Sequence, residues 1–249
     1  MPFTLAHPAA VLPLRRYLWL PALVAGALAP DVLYYVPVSI PVPTHSLAGT
    51  MTSDPVIGLL LLALLRFVAE PLTALAPEGW RRRTGELEWR FRQLPRAVLS
   101  VVAGAGTHVL WDSFVQRDGA MVTHWAWLRG TVIEPHRVYN VLGYVSSVGG
   151  MLALALATAG WYRRTPPGAA RPGLARTPRA WVLTGTTVFV AFGVTHALTA
   201  YVQPSGYDLV RAALVGAIRW GAVALAIYTC AWHVGARRAD YLSRLTTWR

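Results

Sequence analysis

Apolar residues fall in six long stretches, near 17–36, 54–76, 95–116, 137–160, 180–202 and 209–234, with polar or proline-rich connections between them. Most come close to the ~20 residues a helix needs to cross the hydrocarbon layer of a bilayer. The pattern predicts an all-α, polytopic membrane helical bundle with five to six transmembrane helices, built as one integral membrane domain over 1–249, without an evident internal repeat. The beginning of the chain fits this pattern least well. Pro8, Pro13 and Pro21 interrupt "FTLAHPAAVLPLRRYLWLP", and proline inside a helix removes a backbone donor and clashes with the preceding turn. Two readings follow. In one, residues 7–15 and 20–30 form an N-terminal re-entrant helical hairpin that brings His7 back to Asp31, with Arg15 and Arg16 at its tip. In the other, a single spanning helix starts from a cytoplasmic N-terminus and separates His7 from Asp31 by roughly 35 Å.

Composition agrees with a membrane protein. Of 249 residues, 55% are hydrophobic and 14% charged, and the mean hydropathy is +0.41, too apolar for an ordinary soluble domain. The net charge of +12 is carried by 23 arginines without a lysine. Their placement gives them a meaning. Arg81, Arg82, Arg83, Arg90, Arg92 and Arg96 lie between the second and third stretches, and Arg163, Arg164, Arg171, Arg176 and Arg179 between the fourth and fifth. Arg237, Arg238, Arg244 and Arg249 follow the sixth, whereas the alternate connections hold only Arg117 and Arg129. The positive-inside rule therefore puts the arginine-rich loops and the C-terminus in the cytoplasm. The charge is topological, and nucleic acid is not an expected partner. "RRTPPGAARPGLARTPR" reads as a flexible inner loop, and the single Cys230 excludes an intramolecular disulfide and a thiolate zinc cluster.

The ionisable residues of the apolar stretches gather at one level. Asp31 follows the first stretch, His45 lies in the next connection, and "GTHVLWDSF" ends the third with His108 and Asp112 one turn apart. All fall at the outer side of this topology. Charge in lipid is costly, so convergence at one depth suggests a site. HxxxD puts imidazole and carboxylate on one helix face, where both can address one cation. A sulfur-free set of this kind suits a divalent metal: zinc, manganese or iron. Thr44, Ser46 and Thr107 are candidates to fix imidazole tautomers from outside the site. Trp111, Trp125 and Trp127 suit an interfacial belt that contacts membrane lipid.

"FTLAHPAAVLPLRR", "GALAPDVLYY", "THSLAG" and "GTHVLWDSF" resemble the signature of domain-of-unknown-function family 4184 (DUF4184), a group of bacterial membrane proteins, most densely over residues 1–150. The order His, Asp, His, HxxxD is also similar to that of the membrane-bound metal-dependent hydrolase family. More remotely it resembles the zinc-dependent phospholipase C and P1 nuclease superfamily, in which an Asp and a His fourteen positions apart precede HxxxD, as Asp31 and His45 do here. This resemblance implies a bacterial cytoplasmic membrane, zinc, and five ligands: His7, Asp31, His45, His108 and Asp112. Asp112 would bridge, and Asp112 or Asp31 would also orient the attacking water. Residues 1–150 would then be the metal-site half and 151–249 additional transmembrane helices.

The chain also departs from these relatives. The phospholipases and nucleases carry a second helix with HxxxE, where this chain has His136 and Asn140. The DUF4184 pattern has Thr and His after "WDSF", where this chain has Val115 and Gln116. The functional expectation is a metal-dependent hydrolase that uses an activated water on a phosphoester or lipid-linked substrate. The alternative is a non-catalytic transporter or metal-binding scaffold. The sequence leaves the oligomeric state open.

Overall fold

A computed structural model describes residues 3–36, 40–85, 91–169, 171–200 and 205–246. Arg90 and Arg249, counted above among the inner-face arginines, lie outside the described residues, as does the C-terminus itself. The chain is an all-α polytopic bundle. Its main helices are α1 (Leu20–Leu28), α2 (Ser53–Leu75), α3 (Leu94–Val115), α4 (Val138–Arg164), α5 (Arg176–Ala200) and α6 (Gly206–Thr246). Each of the last five contains a stretch long and apolar enough to cross a membrane. The strands found among the described residues are β1 (Thr131–Ile133) and β2 (His136–Arg137), an antiparallel ribbon between α3 and α4. Chain contacts define two compact units: Met1–Arg66 with Glu86–Pro166, and Phe67–Gly85 with Pro167–Arg249.

In the first unit the N-terminal stretch does fold back. Its first arm is two 3-10 segments, Thr4–Ala9 and Leu12–Arg16, rather than the α-helix expected for 7–15. Pro8 and Pro13 each delete an N–H from so short a run that no α ladder can be established. The greater rise of the 3-10 form helps the hairpin reach its partner. From His7 to Tyr17 it covers about 20 Å at about 2.0 Å per residue, comparable with the roughly 24 Å that α3 rises from Arg96 to Asp112. Both ends are tied down. At the tip the Trp19 N–H donates to Ser100 Oγ at 3.1 Å and the Arg96 guanidinium reaches Tyr17 O at 3.4 Å. Arg15 and Arg16 are exposed there, with the Arg16 guanidinium 4.9 Å above the Tyr17 ring. At the other end the Phe3 N–H donates to Ser147 Oγ of α4 at 3.0 Å.

The second arm, α1, is pressed directly onto α3. A Cβ on Gly26 would stand 2.1 Å from Val101 O, and one on Gly104 would stand 2.2 Å from Leu23 O. Only hydrogen fits at either position, which allows the two backbones to meet. Between lipid-facing helices such close packing replaces the hydrophobic drive available in water. Ala22, Ala25, Leu62, Ala97 and Val101 form a buried cluster alongside this contact, and Val11, Leu23 and Ala27 form another. α1 stops at Leu28 because Pro30 cannot donate to the next helical bond; Ala29 N–H closes the last turn onto Ala25 O and Gly26 O, and Ala27 O is left to meet α3.

Within the second unit, α5 and α6 cross at a similar point, where a Cβ on Gly193 would lie 2.4 Å from Gly216 O. The proline-rich inner connection is less free than its composition suggests. The Arg81 guanidinium donates to Arg171 O at 2.6 Å, Gly168 N–H to Arg82 O at 2.7 Å and Leu174 N–H to Ala74 O at 3.0 Å.

Replacing Gly104 by Leu should push α1 off α3 and destabilise the protein by about 2 kcal/mol or more. Thermal unfolding in detergent will show this as a lowered Tm. Gly160→Ala, at a position with open space around it, should leave the Tm unchanged or slightly raised.

Candidate metal centre

The contact between α1 and α3 puts Ala27 O 2.8 Å from His108 Nδ1. A carbonyl only accepts, so in neutral His108 the Nδ1 carries the proton and Nε2 presents a lone pair. That lone pair points at carboxylates. Nε2 lies 3.1 Å from Asp112 Oδ2 and 3.7 Å from Asp31 Oδ1, yet it has no aligned hydrogen-bond partner. His7 is engaged at both nitrogens: its Nδ1 faces Thr4 O at 3.2 Å, and its Nε2 is hydrogen-bonded to Asp112 Oδ1 at 3.2 Å. The His7 and His108 rings stack with centroids 3.8 Å apart.

His45 closes the group from the connection before α2. Its Nε2 is 2.9 Å from Asp31 Oδ1 and 3.6 Å from Asp112 Oδ2, and its Nδ1 pairs with Thr44 Oγ1 at 3.1 Å. Its backbone is left-handed, with φ of 57°, which costs a non-glycine residue about 1–2 kcal/mol. Local hydrogen bonds hold it in this conformation. Ser46 Oγ accepts from Gly49 N–H at 2.9 Å and caps the short helix Leu47–Met51. A Cβ on Gly49 would be 1.8 Å from Pro43 O, so the turn after His45 closes only over a glycine. "THSLAG" is therefore a structural unit for presenting one imidazole.

Asp31 sits in the 3-10 turn Ala29–Asp31 that follows α1. Its Oδ2 accepts from Thr4 Oγ1 at 2.6 Å, and the Thr4 hydroxyl, having spent its proton there, accepts from Tyr35 at 2.8 Å. Oδ1 is left for the imidazoles. Asp112 is contacted through both oxygens, Oδ1 by His7 and Oδ2 by His45, His108 and the Gln116 side-chain amide. His7, Asp31, His108 and Asp112 are at most 5% exposed.

The donor set fits a divalent cation. Asp31, His45, His108 and Asp112 each offer one ligand atom, all within 4.8 Å of one another. The four separations of 2.9, 3.6, 3.1 and 3.7 Å scatter about the roughly 3.3 Å edge of a tetrahedron with metal–ligand bonds near 2.0 Å. The Nε2 lone pair of neutral His108 and the two buried carboxylates it faces repel one another. Extra protons or a cation must relieve this, and a divalent cation matches both the charge and the spacing.

Other expectations are met differently. Ser46 serves as a helix cap and Thr107 Oγ1 donates to Gly104 O of its own helix, so neither orients an imidazole. His136 faces Tyr144 and Asn140 caps α4 by accepting from Arg137 N–H, so this pair stays outside the group. His124 is exposed at the end of the short helix Ala120–His124. In the second unit, His196 stacks on Phe192 and His233 on Phe67. Trp111 is anchored by an N–H bond to Ser146 Oγ and faces His7, while Trp125 and Trp127 are exposed. Nothing in the residue pattern marks Thr4, Tyr35 or Ala27 O as partners, since hydroxyls and carbonyls acquire this role only through the fold.

With these motifs in one place, comparison with known proteins is informative. A family match, described as Domain of unknown function (DUF4184), extends over residues 1–230. The chain belongs to this DUF4184 family. No curated protein and no solved structure matches it. The match continues beyond the centre into α5 and most of α6 of this DUF4184 chain.

Thr4→Val should leave Asp31 Oδ2 without its donor and weaken divalent-cation binding about 10–100-fold. Calorimetric titration of the purified variant with Zn²⁺ checks this, with helix content by circular dichroism expected to be unchanged.

Proposed function

We propose that this chain is a membrane-bound, metal-dependent hydrolase acting on a phosphoester or lipid-linked substrate. The observation that carries the reading is the convergence of three imidazoles and two carboxylates from four separate parts of the chain, with His108 turned so that a bare Nε2 faces the carboxylates. Asp31, His45, His108 and Asp112 would hold the cation, zinc by the resemblance of the motif, with manganese or iron as alternatives. His7 adds a fifth group at the second oxygen of Asp112, which gives that carboxylate the arrangement of a bridge. When bound, a divalent cation supplies Lewis acidity that activates a water and polarises a phosphoryl or carbonyl oxygen.

The residues supply the rest. Asp112 and Asp31 present fixed acceptors beside the imidazoles and can orient a water and receive its proton. The buried surroundings strengthen these electrostatic interactions. His45 is the most exposed member, its side chain 17% accessible, and marks the side from which substrate approaches. By the arginine pattern, this side faces outward across a bacterial cytoplasmic membrane, with the C-terminus in the cytoplasm. Membrane lipid surrounds the helices, and the exposed Trp125 and Trp127 anchor them or meet the apolar part of a substrate.

One observation favours the rival reading of a non-catalytic metal-binding scaffold: four of the five groups are almost wholly buried, leaving little room beside the cation. Metal analysis and hydrolysis assays on detergent-purified protein separate the two. The wild type should carry stoichiometric divalent metal and cleave a phosphodiester or phospholipid panel. His108→Ala and Asp112→Ala should lose the metal and at least 100-fold of the activity while remaining helical. A metal-loaded wild type that cleaves nothing in the panel would establish the scaffold instead.

A further inference from the structure

Asp54 is the second residue of α2, and 0% of it is exposed. Neither of its carboxylate oxygens has a hydrogen-bond partner. An acid in the first turn of a helix ordinarily faces water or caps backbone amides, and Asp54 does neither. A buried carboxylate without a partner is costly unless a positive charge balances it.

The packing of α2 shows where that carboxylate lies. Leu62 is packed into the cluster with Ala97 and Val101. One turn earlier, a Cβ on Gly58 would lie 2.4 Å from Val101 Cγ1 and 3.5 Å from Gly26 Cα. Thr50, ahead of α2, approaches Gly106, whose Cβ would be 3.9 Å from Thr50 Cγ2. The two segments thus run in opposite directions, and Asp54 falls between these contacts at the level of Ala105, one turn short of His108. Burial works against a charge on this carboxyl, while His45 and His108 both favour it. Neither imidazole donates to it: His108 Nδ1 pairs with Ala27 O and the two nitrogens of His45 pair with Thr44 and Asp31.

We propose that Asp54 is a third, outer carboxylate of the metal centre, its negative charge balanced across His45 and His108 by the divalent cation that those residues hold. The inference rests on the cation-binding reading given above and adds to it a positioning residue from α2, an element that supplies none of the five ligands. Asp54 acts through space: its negative charge attracts the cation held by those imidazoles in a water-poor bundle, which raises affinity.

The test uses the full-length protein in detergent, titrated with Zn²⁺ and Mn²⁺, with thermal unfolding of the metal-free and metal-loaded forms. Asp54→Asn should bind 10–100-fold more weakly than the wild type and show a smaller metal-induced rise in Tm. Its metal-free form should be at least as stable as the wild type, because the amide is isosteric and removes an unbalanced buried charge. Asp54→Glu, which keeps the charge, should recover part of the affinity. A metal-free Asp54→Asn protein that unfolds earlier or fails to fold overturns the proposal and assigns Asp54 to helix initiation. Affinity within two-fold of wild type overturns it as well, while the centre itself stands. If the wild type takes up neither ion, this inference and the cation-binding reading fall together.

Discussion

Two buried carboxylates faced by three imidazoles form the constraint around which the first unit of this chain is organised. His108 directs Nδ1 at a backbone carbonyl, and that choice dictates what its Nε2 can do. A lone pair turned toward a carboxylate in an apolar bundle is repulsive, and the repulsion is strongest where water is excluded. Such an arrangement persists only if the surrounding structure is rigid enough to hold it and something positive compensates it. The packing described above meets the first condition, and a divalent cation bound there would meet the second.

The rigidity comes from residues without functional chemistry. Gly26 and Gly104 let α1 and α3 touch along their backbones, and this contact carries Ala27 O to His108 and Asp31 to the level of Asp112. Proline is equally important to the geometry. Pro30 ends α1 so that Asp31 turns off the helix, while Pro8 and Pro13 keep the first arm in 3-10 form. The hairpin can therefore return His7 to the level where α1 ends. The residues that assemble the centre are the small and cyclic ones, and those that would use it are the ionisable ones.

The sequence reveals some of this more readily than the rest. The last five apolar stretches correspond to helices long enough to cross a membrane, because bilayer thickness imposes a length that any reader of the chain can count. HxxxD places His108 and Asp112 together because a helix has a fixed period. The first stretch was harder to read: three prolines allow either a hairpin or a broken span, and only the docking of Phe3 on Ser147 and Trp19 on Ser100 decides between them. Ser46 and Thr107 look like imidazole partners in sequence, but each satisfies its hydroxyl locally, as short side chains commonly do. Asp54 resembles an ordinary helix-start acid, because its burial depends on which face of α2 meets α1 and α3. That face is a property of packing and is not marked in the residue pattern.

The unequal mounting of the five groups has a kinetic consequence. His7, Asp31, His108 and Asp112 are held by packed segments and almost sealed, whereas His45 stands on a turn with left-handed backbone and is partly open to the exterior. For any ion that occupies the centre, the sealed groups set how tightly it is held at equilibrium. The speed of exchange is governed instead by the His45 turn, the first group met on entry and the last passed on departure. Residence time and affinity are thus assigned to different parts of the chain, and sequence drift in the turn could change one while sparing the other.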